Sequence, residues 1–325
     1  MITRGLEERM SEAATRRRTK RRLSQVFASA RKNPVTFDDT SRIVIFSDCH
    51  RGDNSWGDSF APNQSLFFHA LRYYYQQGFT YIEAGDGDEL WHHADFNNIR
   101  RAHDHVFWLM SEFHKSGRLH MVWGNHDIQR KDVETVRSQL HEYYDDREEK
   151  VKPLLDGIEM SEGLVLKHRE SGDEILVVHG HQGSKVNDRY WRVGMYAVRY
   201  IWSRLQAFGI KDPSRTSQHP VKQFEVESHI KSWIKSHQNQ MVICGHTHRT
   251  AFPNPGEPSY FNCGCCVHPR FITGIELDEG KISLIKWWLA PDNPVKKQGP
   301  LYVTREEIRG PVELKSFFAE TEPVT

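Results

Sequence analysis

The sequence predicts an α/β layered fold. Short β-branched or aromatic runs alternate with longer helical stretches, the early runs each stop at a polar turn, and no stretch of about 18 apolar residues interrupts the pattern. The chain has 325 residues, 38% hydrophobic and 27% charged, which fits a folded chain with a polar surface. Five cysteines are too few and too unevenly spaced for a disulfide scaffold, so a reducing, cytoplasmic compartment is expected. The N-terminus is Arg-rich without an apolar segment, so neither secretion nor a transmembrane span is expected.

Residues 1–40 read as a basic arm, helical or mobile, and a linker around Asn33-Pro34. Residues 41–290 read as the main folded domain and 291–325 as a Pro-, Gly- and charge-rich extension wrapping the surface. Within the domain, Arg42–Ser47 is a strand entering Asp48-Cys49-His50, and Ser65–Gln77 a helix closed by Gly78. Thr80–Ala84 is a strand entering Gly85-Asp86, and Asn97–Lys115 one helix stopped by Gly117. Arg118–Trp123 enters Gly124-Asn125-His126-Asp127, Glu174–Val178 enters His179-Gly180-His181, and Gln240–Cys244 enters Gly245-His246-Thr247-His248. Strand-like runs follow at Tyr260–Asn262, Phe271–Leu277 and Lys281–Leu289, the last two joined by a hairpin turn at Asp278-Glu279-Gly280.

Charge is uneven. Residues 1–32 hold ten Lys/Arg against three acids, a net +7; the chain as a whole is +1, so the remainder is −6. This excludes a body that coats nucleic acid, and leaves the arm as the part able to meet an anionic membrane or a nucleic acid.

Five strand ends finish in Asp, Asn or His. Ligands in open α/β sheets bind beyond the carboxyl ends of the strands. Carboxylate, amide oxygen and imidazole are the donors that divalent cations need. One such end reads as a polar cap; five in series read as a metal site.

In order, the motifs D-x-H (Asp48, His50), G-D-x-x-E (Asp86, Glu89), G-N-H-D (Asn125, His126), a lone His after a strand (His179) and G-H-x-H (His246, His248) resemble the calcineurin-like metallophosphoesterase superfamily. The resemblance implies a four-layer sandwich, two mixed sheets face to face and flanked by helices, with two divalent ions at the strand ends. It implies Asp48, His50, Asp86 and His248 on the first ion. Asp86, Asn125, His179 and His246 would hold the second. Manganese is favoured; iron, zinc, nickel or magnesium fit the same donors. Hydrolysis of a phosphate ester or pyrophosphate by metal-bound hydroxide is the implied reaction. His126 would assist the leaving oxygen, and Glu89 would pair with His126; Asp88 and Asp127 are alternative partners. His181 is an alternative ligand to His179, or a substrate contact.

A helical cap insertion is expected over about residues 182–239. Residues 187–208 read as one helix with an apolar stripe (Trp191, Met195, Val198, Trp202, Leu205) and a basic one (Lys185, Arg189, Arg192, Arg199). Arg189, Arg192 and Arg199 are candidate phosphate contacts. The run Ala84–Trp91 and the insertion are also similar to UDP-2,3-diacylglucosamine pyrophosphohydrolases, which carry Arg where this chain has His126. Candidate substrates are therefore phosphorylated small molecules, nucleotide sugars or lipid-linked diphosphates. A nuclease, a serine/threonine protein phosphatase and a non-catalytic scaffold are the alternatives. Removing residues 1–32 is expected to spare turnover of a small ester. The cysteines are expected to be structural, including the group Cys263, Cys265 and Cys266.

Overall fold

The computed structural model describes residues 2–184, 187–188, 190–199, 220–293 and 298–318. Fourteen strands and seven α-helices are found among them. In chain order the strands are β1 (Val35–Phe37), β2 (Ile43–Phe46), β3 (Thr80–Ala84), β4 (Leu119–Val122), β5 (Glu142–Asp145), β6 (Lys150–Pro153) and β7 (Met160–Ser161). Then come β8 (Gly163–His168), β9 (Glu174–Val178), β10 (Met241–Cys244), β11 (Tyr260–Asn262), β12 (Phe271–Asp278), β13 (Lys281–Asn293) and β14 (Gln298–Glu313). The helices are α1 (Ile2–Ala30), α2 (Gln64–Gln76), α3 (Phe96–Ala102), α4 (Asp104–Lys115), α5 (Val133–Val136), α6 (Trp191–Ala197) and α7 (Pro220–Lys235).

One sheet has the order β1-β8-β9-β10-β11 and a second the order β14-β13-β12-β2-β3-β4-β7, while β5 and β6 form a separate hairpin. β2, β3, β4 and β7 run parallel, as do β9, β10 and β11; β12, β13 and β14 are antiparallel additions. Period-2 alternation explains the layering. Ile43 and Ile45 of β2 pack with Ile175 and Val177 of β9 and Ile243 of β10 between the sheets. Val44 and Phe46 face the opposite way, onto Phe67, Tyr74 and Phe113 of α2 and α4. On the far side, Leu176 and Val178 of β9 and Val242 of β10 meet Leu23 and Val26 of α1 and Ile230 and Trp233 of α7. The result is the four-layer, two-sheet α/β sandwich expected.

Three local expectations need correction. Residues 97–115 are two helices, because His103 (φ −118°, ψ 34°) leaves helical geometry. Its buried Nε2 lies 2.9 Å from Asp58 Oδ2. Residues 298–313 do not wrap the surface; they pair along β13 as an edge strand, where Gly-Pro steps are tolerated. Residues 2–30 are a docked helix, with Leu23, Val26, Phe27 and Ala30 on one face at helical spacing. Arg22 is clamped by Glu162 at 2.6 Å and Asp188 at 3.1 Å. Cutting away residues 1–32 would uncover the apolar surface of β8, β9 and α7 that this face covers. No described helix is long and apolar enough to cross a membrane.

Candidate metal centre

β2, β3 and β4 are parallel neighbours in one sheet, and β9 and β10 in the other. Their carboxyl ends therefore finish on the same rim. Asp48 and His50 follow β2, Asp86 and Glu89 follow β3, and Asn125 and His126 follow β4. His179 and His181 follow β9, and His246 and His248 follow β10. Among the described residues, Asp48, His50 and His248 form one group of donor atoms within 4.8 Å of one another, and Asp86, His179 and His246 form another.

The turns that carry these groups are unusual in backbone terms. Asp48, His50, Asp86, His246 and His248 all have φ between 46° and 66°. Left-handed backbone is uncommon outside glycine and tends to cluster at functional sites. The glycines beside them have a steric role as well. A Cβ on Gly124 would run into the Asp86 carboxylate, and one on Gly245 into that of Asp48.

Each carboxylate is oriented through one oxygen. Asp48 Oδ2 accepts from Ser47 Oγ at 2.7 Å and from the His246 amide at 2.8 Å, while its buried Oδ1 has no hydrogen-bond partner. Asp86 Oδ1 accepts from the His126 amide at 2.8 Å, which turns Oδ2 toward His179 Nε2 at 3.1 Å and His50 Nε2 at 3.7 Å. The imidazoles are oriented from behind. His179 Nδ1 donates to the Ala84 carbonyl at 3.1 Å, and His50 Nδ1 lies 3.0 Å from Glu89 Oε2. Their Nε2 atoms therefore face inward; those of His50 and His248 are 3.1 Å apart. The Nε2 atoms of His179 and His246 and Oδ1 of Asn125 are buried and make no aligned hydrogen bond. A rim of inward lone pairs and carboxylate oxygens is stable only with positive charge among them, and this donor set fits divalent ions.

The electrostatics agree. Burial opposes the charged form of His179, yet Asp86 and Asp48 lift it to about 9. His248 is likewise lifted to about 9, burial being outweighed by Asp48. Burial, with His179 beside it, lowers His246 to about 3. Burial works against the charge of Asp86 too, but the surrounding imidazoles hold it well below the carboxylate range.

Glu89 joins the groups. Its Oε1 lies 2.7 Å from His126 Nδ1 while its Oε2 faces His50. Asp88 is engaged elsewhere, held at 2.6 Å by both Arg51 and Arg130 in the buried interior. Asp127 accepts from the amides of Gly124 at 2.6 Å and Gly87 at 3.0 Å; burial and the nearby Asp86 raise it to about 7. Sequence reasoning passed over Arg51 and Arg130. The signal available was Glu83, a buried acid inside the apolar strand β3; it meets Arg51 at 2.6 Å. Trp91 was also missed; it stacks on His126 with ring centroids 4.6 Å apart.

Of the candidate substrate contacts, His181 is buried beside His179 and Trp123. Arg192 is exposed over Trp191. Arg199 donates to the carbonyls of Leu90 and Trp91, pinning the insertion to the loop after Glu89. Lys185, Arg189, Trp202 and Leu205 lie outside the described residues. All five cysteines are buried and unpaired, and no metal group among the described residues includes one.

The family model for calcineurin-like phosphoesterases matches residues 41–250. A comparison with curated proteins finds no match. Similar solved structures include Vacuolar Protein Sorting 29 from Cryptosporidium parvum, 13% identical with a TM-score of 0.34, covering 82% of this chain and 98% of that one. Vps29 from Chaetomium thermophilum is 11% identical with a TM-score of 0.36, covering 83% and 97%. The chain belongs to the calcineurin-like phosphoesterase family.

Proposed function

We propose, from this membership, that the protein is a metal-dependent phosphoesterase acting on a phosphate ester or pyrophosphate of a small or lipid-linked metabolite. In this reading Asp48, His50, Asp86 and His248 hold one divalent ion, and Asp86, Asn125, His179 and His246 hold the second. The observation that carries it is His179. Its Nδ1 donates to a carbonyl, which can only accept, so a neutral ring presents the Nε2 lone pair to Asp86 Oδ2 at 3.1 Å. Without an ion the contact needs a proton on Nε2, which is why Asp86 and Asp48 lift the ring to about 9, and a divalent cation between the two groups would take that proton's place.

Two such ions would supply Lewis acidity and a nucleophile at neutral pH. The chain's own residues do the rest. Asp86 presents one carboxylate oxygen to both groups and fixes the other on the His126 amide. His126, its Nδ1 toward Glu89 and its face on Trp91, keeps Nε2 to pass a proton to the leaving oxygen. Asp127 braces the Gly87 and Gly124 turns that set Asp86 and Asn125.

Manganese is the first metal to test. The manganese-loaded protein should hydrolyse bis-p-nitrophenyl phosphate or p-nitrophenyl phosphate, and a chelator should abolish turnover. Protein that binds manganese and cleaves neither ester, nor any member of a panel of phosphorylated metabolites, would point to a scaffold instead.

A further inference from the structure

A cavity opens beside the centre. It has a volume of about 360 Å³, within the range of small-ligand sites, and His246 and His181 form its floor. One wall is α1, through Ser11, Thr15 and Thr19, spaced four apart and so on one face. The facing wall is α7, through Lys222, Glu225 and His229. The first wall is fixed in place: a Cβ on Gly183 would strike the Thr19 backbone, so α1 lies directly on the turn that follows His181.

The lining has an unmet demand for hydrogen bonds. Both ring nitrogens of His181 and Nε2 of His229 are buried without a partner, although the two residues are only 1% and 5% exposed. Buried polar atoms of this kind are normally satisfied. Lys222 and Glu225 carry opposite charges, and Arg18 of α1 is engaged by Thr15 Oγ1 at 2.8 Å and the Gly183 carbonyl at 3.5 Å. Hydroxyls and neutral imidazoles each donate and accept, which is the pattern that pairs with alcohol groups.

The geometry points to a subsite between α1 and α7 for a neutral, hydroxyl-rich substituent on the phosphoryl group. The inference rests on the phosphoesterase reading for what enters the cavity, and makes the N-terminal helix part of substrate selection. A phosphorus held at the centre then carries a group reaching past His246, so esters of hydroxyl-bearing alcohols are preferred over esters of plain alcohols.

Calorimetric titration with bis(glyceryl) phosphate and dimethyl phosphate tests this in metal-free and manganese-loaded protein. The glyceryl diester should bind about tenfold tighter or better. Thr19→Val and His229→Phe should each remove the preference without changing manganese binding. Equal affinity for the two diesters in the parent protein, or a preference that survives His229→Phe, overturns the subsite. A preference in protein that turns nothing over upholds the cavity and sinks the phosphoesterase reading. Turnover of bis-p-nitrophenyl phosphate without any preference does the reverse.

Discussion

On one side of Asp86, His179 and His246 are buried, and His179 is oriented by a main-chain carbonyl. On the other side, His50 and His248 lie nearer solvent, and His50 is oriented by a side chain, Glu89, which also holds His126. A carbonyl inside a sheet cannot be moved without moving the strand. A carboxylate on a turn can be moved or mutated, and everything it touches follows. The difference teaches that one half of the centre is rigid by construction, while the other is coupled through Glu89 to His126.

Asp86 is shared by both halves, so its loss should be the most damaging. Asp86→Asn is expected to lose both metals and nearly all turnover, measured by metal analysis and ester hydrolysis; retention of one tightly held ion would show that the halves are independent. His126→Ala should keep both metals and lose about a hundred- to ten-thousand-fold in kcat. Metal loss equal to that of Asp86→Asn would contradict its assignment as a proton carrier. Glu89→Gln should cost about ten- to a hundredfold in activity or affinity, with occupancy falling at one of two sites by equilibrium dialysis. Equal loss at both sites would erase the contrast between the halves.

The smallest effect should be on stability. Asp58 accepts from His103 and from the amides of Asn54 and Phe60, and so knits the loop after His50. Burial opposes its charge, but these bonds outweigh burial and lower it from 3.8. A carboxylate lowered on folding stabilises fully above its unfolded pKa, and that contribution fades as pH falls through the folded value. Asp58→Asn should therefore cost about 1–3 kcal/mol near neutrality in denaturant unfolding. The gap to the parent protein should close in acid below the unfolded value of 3.8; a gap independent of pH would assign the loss to packing.

The candidate ligands were legible because each stands directly after a strand, so local sequence carried them. The unbroken apolar runs of β2, β9 and β10 likewise announced their two buried faces. What lay hidden depends on turn geometry or on distant partners. Nothing near His50 in sequence says that Glu89 will reach back to it. Arg51 finds Glu83 and Asp88 only once β2 and β3 are aligned. The strand β14 was obscured by Gly-Pro steps and by the exposed apolar residues Leu301 and Tyr302. The docking of α1 was masked by its many basic residues, four apolar ones being enough to seat it.

β12 joins β2 through Ile275 opposite Ile45. The stretch that matches the family stops at residue 250, before β12 begins. A gene fragment trimmed to that stretch would leave the strand leading to Asp48 with a bare, sticky margin and invite aggregation. The smallest expressible unit is therefore larger than the shared motif suggests, and must run through the final hairpin.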